Sequence, residues 1–460
     1  RPRQLWVYVT IYTTLIGLLL FLNYAAYKNP GLPYVPVDFY GSVCYQLVIL
    51  QVLLLCVLGA YNSGSVIRDE VAGKSYDFFR MLPVSAARKA VGILVGKNLV
   101  VLLFAAINFL LLFVFSRLGQ VNASRLQRTV FALVSFALLA NSVALLASIN
   151  PTSQRRKGGV ATLIVLSIFV VPFLIRAMAA AWRQGELGDV TATFYTAKLP
   201  AVILAGLVAL YFSVWSIIGI LRKFTREDEP LFSRAAAYLF MVGYEFVLLG
   251  LFYTHLTTAS VITSWINYCY WVISLLPALA VPVGSLRGFE KYLEHCGLIR
   301  AQSAENRSMM RRMLLYSNLS LDLGLFAVWA ACSMGTTLIA GLEPWRHLYL
   351  IFVVFFFYLF LILLLELYVV CSPISSKIGL LLGFVAVLYV TLPIILDWVL
   401  DSQALYLYSP AGFLFGMFRK ANAGLAVPCA VWGINFLMCV VPTILIWKRH
   451  LHILNTRRKM

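Results

Sequence analysis

GSVCYQLVILQVLLLCVLGA (residues 41–60) and LVVLLFAAINFLLLFVF (residues 99–115) are two apolar runs, and between them lies SGSVIRDEVAGKSYDFFRMLPVSAARKAVGILVGKN (residues 63–98). Each flanking run approaches the roughly 20 residues that carry a helix across a hydrocarbon core about 30 Å thick, with every backbone amide satisfied inside the helix. The middle stretch, too polar to cross and too long for a turn, reads as a docking element at one membrane face. The same alternation repeats outward in both directions. With 62% hydrophobic and only 12% charged residues over 460 positions, and a mean hydropathy of +0.88, the chain exceeds what a soluble core buries. The expected class is an all-α polytopic membrane protein.

Apolar runs of spanning length occur about twelve times. They cover residues 5–25, 41–60, 99–115, 129–149, 160–182 and 199–221, then 235–253, 261–283, 319–339, 348–370, 378–400 and 425–447. Lys and Arg in short loops stay on the cytoplasmic side, so their distribution orients the chain. With both termini inside, the inside loops and tails hold most of the 37 Lys and Arg. Arg117, Arg125 and Arg128, in a loop assigned outside, are the chief exceptions.

The net charge of +19 is spread over many loops, with no aromatic-interleaved basic domain. That pattern fits attraction to anionic headgroups of the lipid bilayer and argues against nucleic acid as a partner. The densest cluster, Lys448, Arg449, Arg457, Arg458 and Lys459, anchors the last helix at the cytoplasmic face. The eight cysteines sit mostly within or beside apolar spans without metal-ligand spacing, as buried packing residues do, and the five histidines are dispersed. No metal site or catalytic residue is expected. The first apolar run is as long as a full span and lacks a small-residue cleavage pattern, so no cleavable signal peptide is expected.

Six spans, a charged linker and six more spans suggest duplication. The expected organisation is a first six-span half over 1–226, a cytoplasmic linker over 227–234 and a second half over 235–460. In each half the longest inside segment follows the second span: residues 63–98, then residues 284–318. Both contain Arg-Met-Leu followed three positions on by Ser, at Arg80 to Ser85 and at Arg312 to Ser317. Short Pro-x-Ser turns recur before the fifth span, and aromatic outside segments precede the sixth. The first of these, residues 193–200 with Phe194 and Tyr195, fits an interfacial or re-entrant helix.

Within residues 63–98, Phe78 and Leu82 lie at helical spacing with Tyr76 and Phe79 beside them, which predicts a short amphipathic helix after Gly73. Pro83 breaks it, because proline has no amide hydrogen and clashes with the preceding turn. Ser85 caps the next helix, on which Arg88 and Lys89 face water. The expected shape is helix, break, helix along the cytoplasmic surface. A helix that merely lies in the headgroups has the same pattern.

At Glu70, Gly73, Leu82, Pro83, Val84, Ser85, Gly96 and Lys97 the chain resembles the permeases of type-2 ATP-binding cassette (ABC) transporters. The family pattern is an acidic residue, a Gly, a leucine-rich stretch, Pro-Val-Ser, then Gly-Lys entering the third span. Lys74 stands where the family usually has Thr, and Phe78 and Phe79 stand where it has aliphatic residues. Tyr408, Ser409 and Pro410 ahead of the last span extend the resemblance, while the second half lacks the Pro-Val-Ser.

The resemblance implies two fused six-span units with cytoplasmic coupling helices, resting on separate ATPase subunits, two copies of them, in the cytoplasmic membrane of a bacterium. Export is the implied direction. ATP and Mg belong to that partner; the chain itself contains no GxxxxGK[ST] loop and no cofactor of its own. The coupling residues implied are Glu70, Gly73, Asp77, Phe78, Phe79, Arg80, Leu82, Pro83, Ser85 and Lys97, with Arg311 and Arg312 in the second half.

Charged residues inside spans cost roughly 2.5 to 3.5 kcal/mol at the centre of the bilayer and are default candidates for function. Here they are Arg176, Glu245, Asp322, Glu366 and Asp397, of which Glu245 and Glu366 are the deepest and mark a possible substrate path. An ion- or proton-coupled secondary transporter is the alternative; it predicts charged groups converging on one midplane cavity. A lipid-handling membrane enzyme is a third reading, and the outside loops offer it few acidic groups beyond Asp38, Glu186, Asp189 and Asp401.

Overall fold

The computed structural model describes residues 2–28, 36–73, 82–149, 191–225, 231–257 and 319–339, with isolated positions at 270–281, 351–362 and 440–448. It is an all-α polytopic membrane protein, with one small hairpin among the described residues. Helix α1 spans Pro2–Tyr27, α2 Pro36–Val52, α3 Gly59–Ala72, α4 Ala86–Gly96, α5 Leu99–Leu118, α6 Ala123–Ile149, α7 Ala201–Thr225, α8 Arg234–Thr257 and α9 Leu319–Ile339. Strands β1 (Thr191–Phe194) and β2 (Ala197–Pro200) form the hairpin.

Among the described residues, five stretches are long and apolar enough to cross a membrane: Phe39–Ile67, Leu99–Leu118, Ala123–Ile149, Ala201–Thr225 and Arg234–Thr254. They occupy the runs expected at 41–60, 99–115, 129–149, 199–221 and 235–253. The apolar stretches Val9–Ala25 of α1 and Leu323–Thr336 of α9 lie in the runs expected at 5–25 and 319–339. The expected spans at 160–182, 261–283, 348–370, 378–400 and 425–447 lie wholly or largely outside the described residues.

The chain divides into two compact units, one of Arg1–Thr193 with Ala197–Glu229, the other of Phe194–Thr196 with Pro230–Met460. In the first, α2 and α3 form one continuous helix joined by a π-helical turn, Leu53–Leu58. Its apolar residues Val43, Cys44, Leu47, Val48, Val52, Leu55, Cys56 and Ala60 pack against Ala105 and Leu112 of α5 and a line of alanines on α6 (Ala132, Ala137, Ala140, Ala144). Small residues matter here because, with lipid on the outside, helices associate by close packing and interhelical hydrogen bonds. Gly206 of α7 shows how close: a Cβ there would lie 2.7 Å from the Phe131 ring of α6.

The polar interruption begins later than its composition suggests. Ser63, Ser65, Val66 and Ile67 are buried in the continuing helix, so residues 63–72 prolong the helix of the second expected span. The 29 residues of Phe39–Ile67 alone, at about 1.5 Å each, already exceed a hydrocarbon core of about 30 Å.

Two further expectations change. Arg125 and Arg128 belong to the opening turns of α6, which starts at Ala123 because Asn122 Oδ1 accepts the Ser124 amide at 2.9 Å; they are not loop residues. Arg117 closes α5 with its guanidinium over the Phe113 ring, 5.1 Å from the centroid. The aromatic segment 193–200 is a hairpin and not an interfacial helix. β-Branched and aromatic side chains in alternation favour a strand, and Tyr195 turns the chain with φ 54°.

Helix α5 ends in a Schellman-type turn: the Val121 amide donates to Ser116 O (2.9 Å), the Gln120 amide to Arg117 O (3.2 Å), and Gln120 holds φ 52°. A left-handed residue other than glycine is strained by roughly 1 kcal/mol. Gln120→Gly should therefore raise stability by about 0.5 to 1 kcal/mol, read as a higher unfolding midpoint in detergent. An unchanged or lower midpoint would contradict that account.

Candidate functional site

The junction of α3, α4 and α5 brings together the described part of the predicted docking element. Glu70 is half-buried near the end of α3, and Gly73 is exposed just past its last turn. Leu82, Pro83 and Val84 form a bend ahead of α4, so Leu82 is not in a helix, and the rest of the amphipathic helix expected after Gly73 lies outside the described residues. Ser85 caps α4, its hydroxyl accepting the Arg88 amide at 3.4 Å. Lys97, between α4 and α5, pairs with Asp69 of α3 across 3.5 Å. Both partners are about half exposed, so the pair contributes roughly 0 to 1 kcal/mol. Asp77, Phe78, Phe79 and Arg80, with Arg311 and Arg312 of the second half, lie outside the described residues, as does Glu366.

Helix α4 is docked on protein along one side. Lys89, Ala90 and Ile93 are buried, and Ala90 and Ile93 join Val66 and Ile67 of α3, Leu145 and Ile149 of α6 and Ile220 of α7 in one apolar cluster. Lys89 is therefore not a solvent-facing partner of Arg88: an 11-residue helix packed on three neighbours turns position 89 inward together with 90 and 93. Its opposite side is open. Val84, Arg88, Val91 and Val95 are exposed at spacings of three and four. Ser85→Ala should free the Arg88 amide, which ought to exchange hydrogen several-fold faster for a loss of about 1 kcal/mol. Unaltered exchange would show that the cap contributes nothing.

Buried and half-buried side-chain amides tie this junction to the spans. Asn98, at the start of α5, donates through Nδ2 to Ser63 Oγ (2.8 Å) and to Asn141 Oδ1 (3.2 Å), and Ser63 Oγ donates to Asn141 Oδ1 (2.9 Å). Asn141 Nδ2 in turn donates to Leu55 O (3.0 Å), a carbonyl of the π-helical turn. There the register shifts, with the Gly59 amide reaching back to Leu54. Gly59 is required by this arrangement, since a Cβ would approach Asn141 Oδ1 to 2.9 Å. Nearer mid-span, the fully buried Asn108 and Gln51 bond to each other and to Leu47 O and Ala105 O. At the far end, Asn23 joins Gln46 and Ser42. Asn98 Oδ1 and Asn108 Oδ1 have no hydrogen-bond partner among the described residues.

In the second unit, Glu245 on α8 is only 2% exposed. The Tyr270 hydroxyl donates to its Oε2 at 3.4 Å, while Oε1 has no partner among the described residues. Around it lies an apolar and aromatic core that includes Met241, Leu248, Tyr270, Leu325, Phe326 and Trp329. Elsewhere in this unit the hairpin tip rests on α8: the Tyr195 amide donates to Gly250 O (2.9 Å) and its hydroxyl to Phe246 O (2.8 Å). Burial pushes the Tyr195 phenol above its ordinary range, so it stays a donor at neutral pH.

Sequence reasoning singled out Glu245 from its charge inside an apolar run. The amide nodes escaped it, because neutral Asn, Gln and Ser do not interrupt a hydropathy pattern. Their only signal is a set of amides recurring in otherwise apolar helices at positions 23, 46, 51, 108 and 141. No protein-family model, curated protein or solved structure matches the chain.

Proposed function

We propose that this chain is the membrane-spanning permease of an ATP-driven transporter, an exporter of the cytoplasmic membrane with both termini inside, made of two six-span halves. A separate ABC ATPase, in two copies, binds ATP with Mg and hydrolyses it; the chain has no catalytic role of its own. One observation carries this reading: α4 fixes one face to α3, α6 and α7 while Val84, Arg88, Val91 and Val95 stay open on the other. A helix that merely lay in headgroups would not need that inward anchorage. The anchored side can pass a push into the spans through Asn98, Ser63 and Asn141, whose hydrogen bonds end at the π-helical turn.

The reading is tested by purifying the chain from its native host in mild detergent and identifying its companions. An ATP-binding subunit should accompany it, and Val91→Glu together with Arg88→Glu should release that subunit while the permease stays folded. Recovery of the folded permease with no ATP-binding subunit would overturn the proposal. A second reading, ion- or proton-coupled transport, draws on the buried carboxyl of Glu245. Uptake driven by an ion gradient in ATP-free proteoliposomes would select it.

A further inference from the structure

We propose that the Glu245 carboxyl and the Tyr270 hydroxyl form a binding site for one small monovalent cation, which enters by displacing a proton from Glu245. The inference stands apart from the ATPase reading, since it concerns the second unit alone and its test needs no ATP and no partner.

Glu245 lies on the inward face of α8, one turn from each of the buried residues Met241 and Leu248. A carboxylate in such surroundings needs a counter-charge, or else it carries a proton. Among the described residues no Lys, Arg or His pairs with it. Among the described residues, the titratable groups that act electrostatically with it are Tyr244 on its own helix, Tyr270, and Cys332 of α9. All three are neutral in their protonated forms, so none supplies the positive charge.

The donor set is one carboxyl and the Tyr270 phenol oxygen that bonds to it. One ionised carboxyl balances one unit of positive charge, and hydroxyl oxygens are hard ligands for a small cation; a divalent ion would remain half compensated. Among the described residues Oε1 has no hydrogen-bond partner and is the acceptor left over. It holds the acidic proton at rest and becomes a cation ligand once that proton leaves. The exchange balances: the neutral acid plus a monovalent cation gives the carboxylate–cation pair plus one proton released.

Infrared difference spectroscopy of the full chain in neutral phospholipid nanodiscs reads this directly. At neutral pH in choline chloride, wild type minus Glu245→Gln should contain the carbonyl-stretch band of a protonated carboxylic acid. Tyr270→Phe should shift that band by removing the phenol hydrogen bond, which assigns it even if Glu245→Gln fails to fold. Replacing choline by sodium, potassium or methylammonium should bleach at least half of the band for one of the three and release protons to the medium. A band of ionised carboxylate in choline would overturn the proposal. So would a protonated band indifferent to all three cations, the outcome expected of a neutral acid serving only to pack against Tyr270.

Discussion

Trp329→Ala should destabilise the second unit by about 3 kcal/mol, the low end of the range for emptying a large aromatic site, because a lipid- or detergent-solvated reference state gives up part of the transfer term. Trp329 is 1% exposed, and its indole N–H donates to Ser274 Oγ at 2.8 Å. Its ring lies 5.1 Å from that of Phe326, which also contacts Phe355 and Tyr358 at 5.2 Å each. Removing the indole therefore takes away one wall of an aromatic cluster as well as a buried hydrogen bond. A thiol-reactive dye in a thermal ramp checks it, since Cys332 lies one turn along α9 from Trp329 and should label at a clearly lower temperature in the variant. Trp329→Phe should fall between the two. An unshifted labelling midpoint would show that the cluster does not hold this unit together.

The second large effect is expected at Asn141→Leu. Volume is nearly kept, but the Leu55 carbonyl in the π-helical turn loses its side-chain donor and Asn98 and Ser63 lose an acceptor. A buried polar group left without a partner costs roughly 1 to 3 kcal/mol, and bonds between helices in a bilayer sit toward the lower part of that range, so a total of about 2 to 4 kcal/mol is expected. A double-mutant cycle with Ser63→Ala should return a coupling energy well above experimental error, measured by denaturant unfolding in detergent. Additive effects would mean that the two side chains act independently. If the chain is the permease proposed above and the node transmits motion from α4, Asn141→Leu at permissive temperature should slow transport while the proposed ATPase stays bound.

The membrane character of the chain and the positions of five spans were legible as apolar runs, because a bilayer demands a long uninterrupted stretch and tolerates few substitutes. Pro83 and Ser85 were legible too, since a missing amide hydrogen and a capping hydroxyl act locally, within one turn of chain. Lys89 was not. A cation near the membrane face reads as solvent-exposed, and only the packing of α4 onto α3, α6 and α7 turns it inward. The hairpin at 191–200 was missed for a related reason: aromatic residues near a span suggest an interface, whereas here the Tyr195 hydroxyl and amide both find carbonyls of α8, far along the chain.

The sequence by itself determined the solvent of this protein, its helical class and the polar stretch at residues 63–98, all of which follow from local composition summed over a window. Tertiary structure alone decided that the first ten residues of that stretch prolong a span, that Ser63 joins Asn98 and Asn141 beside a π-helical turn, and that Glu245 faces Tyr270. These are pairings between residues distant along the chain. Which buried donor meets which acceptor depends on how helices pack and on where the register of one of them slips, and no single window of sequence contains both.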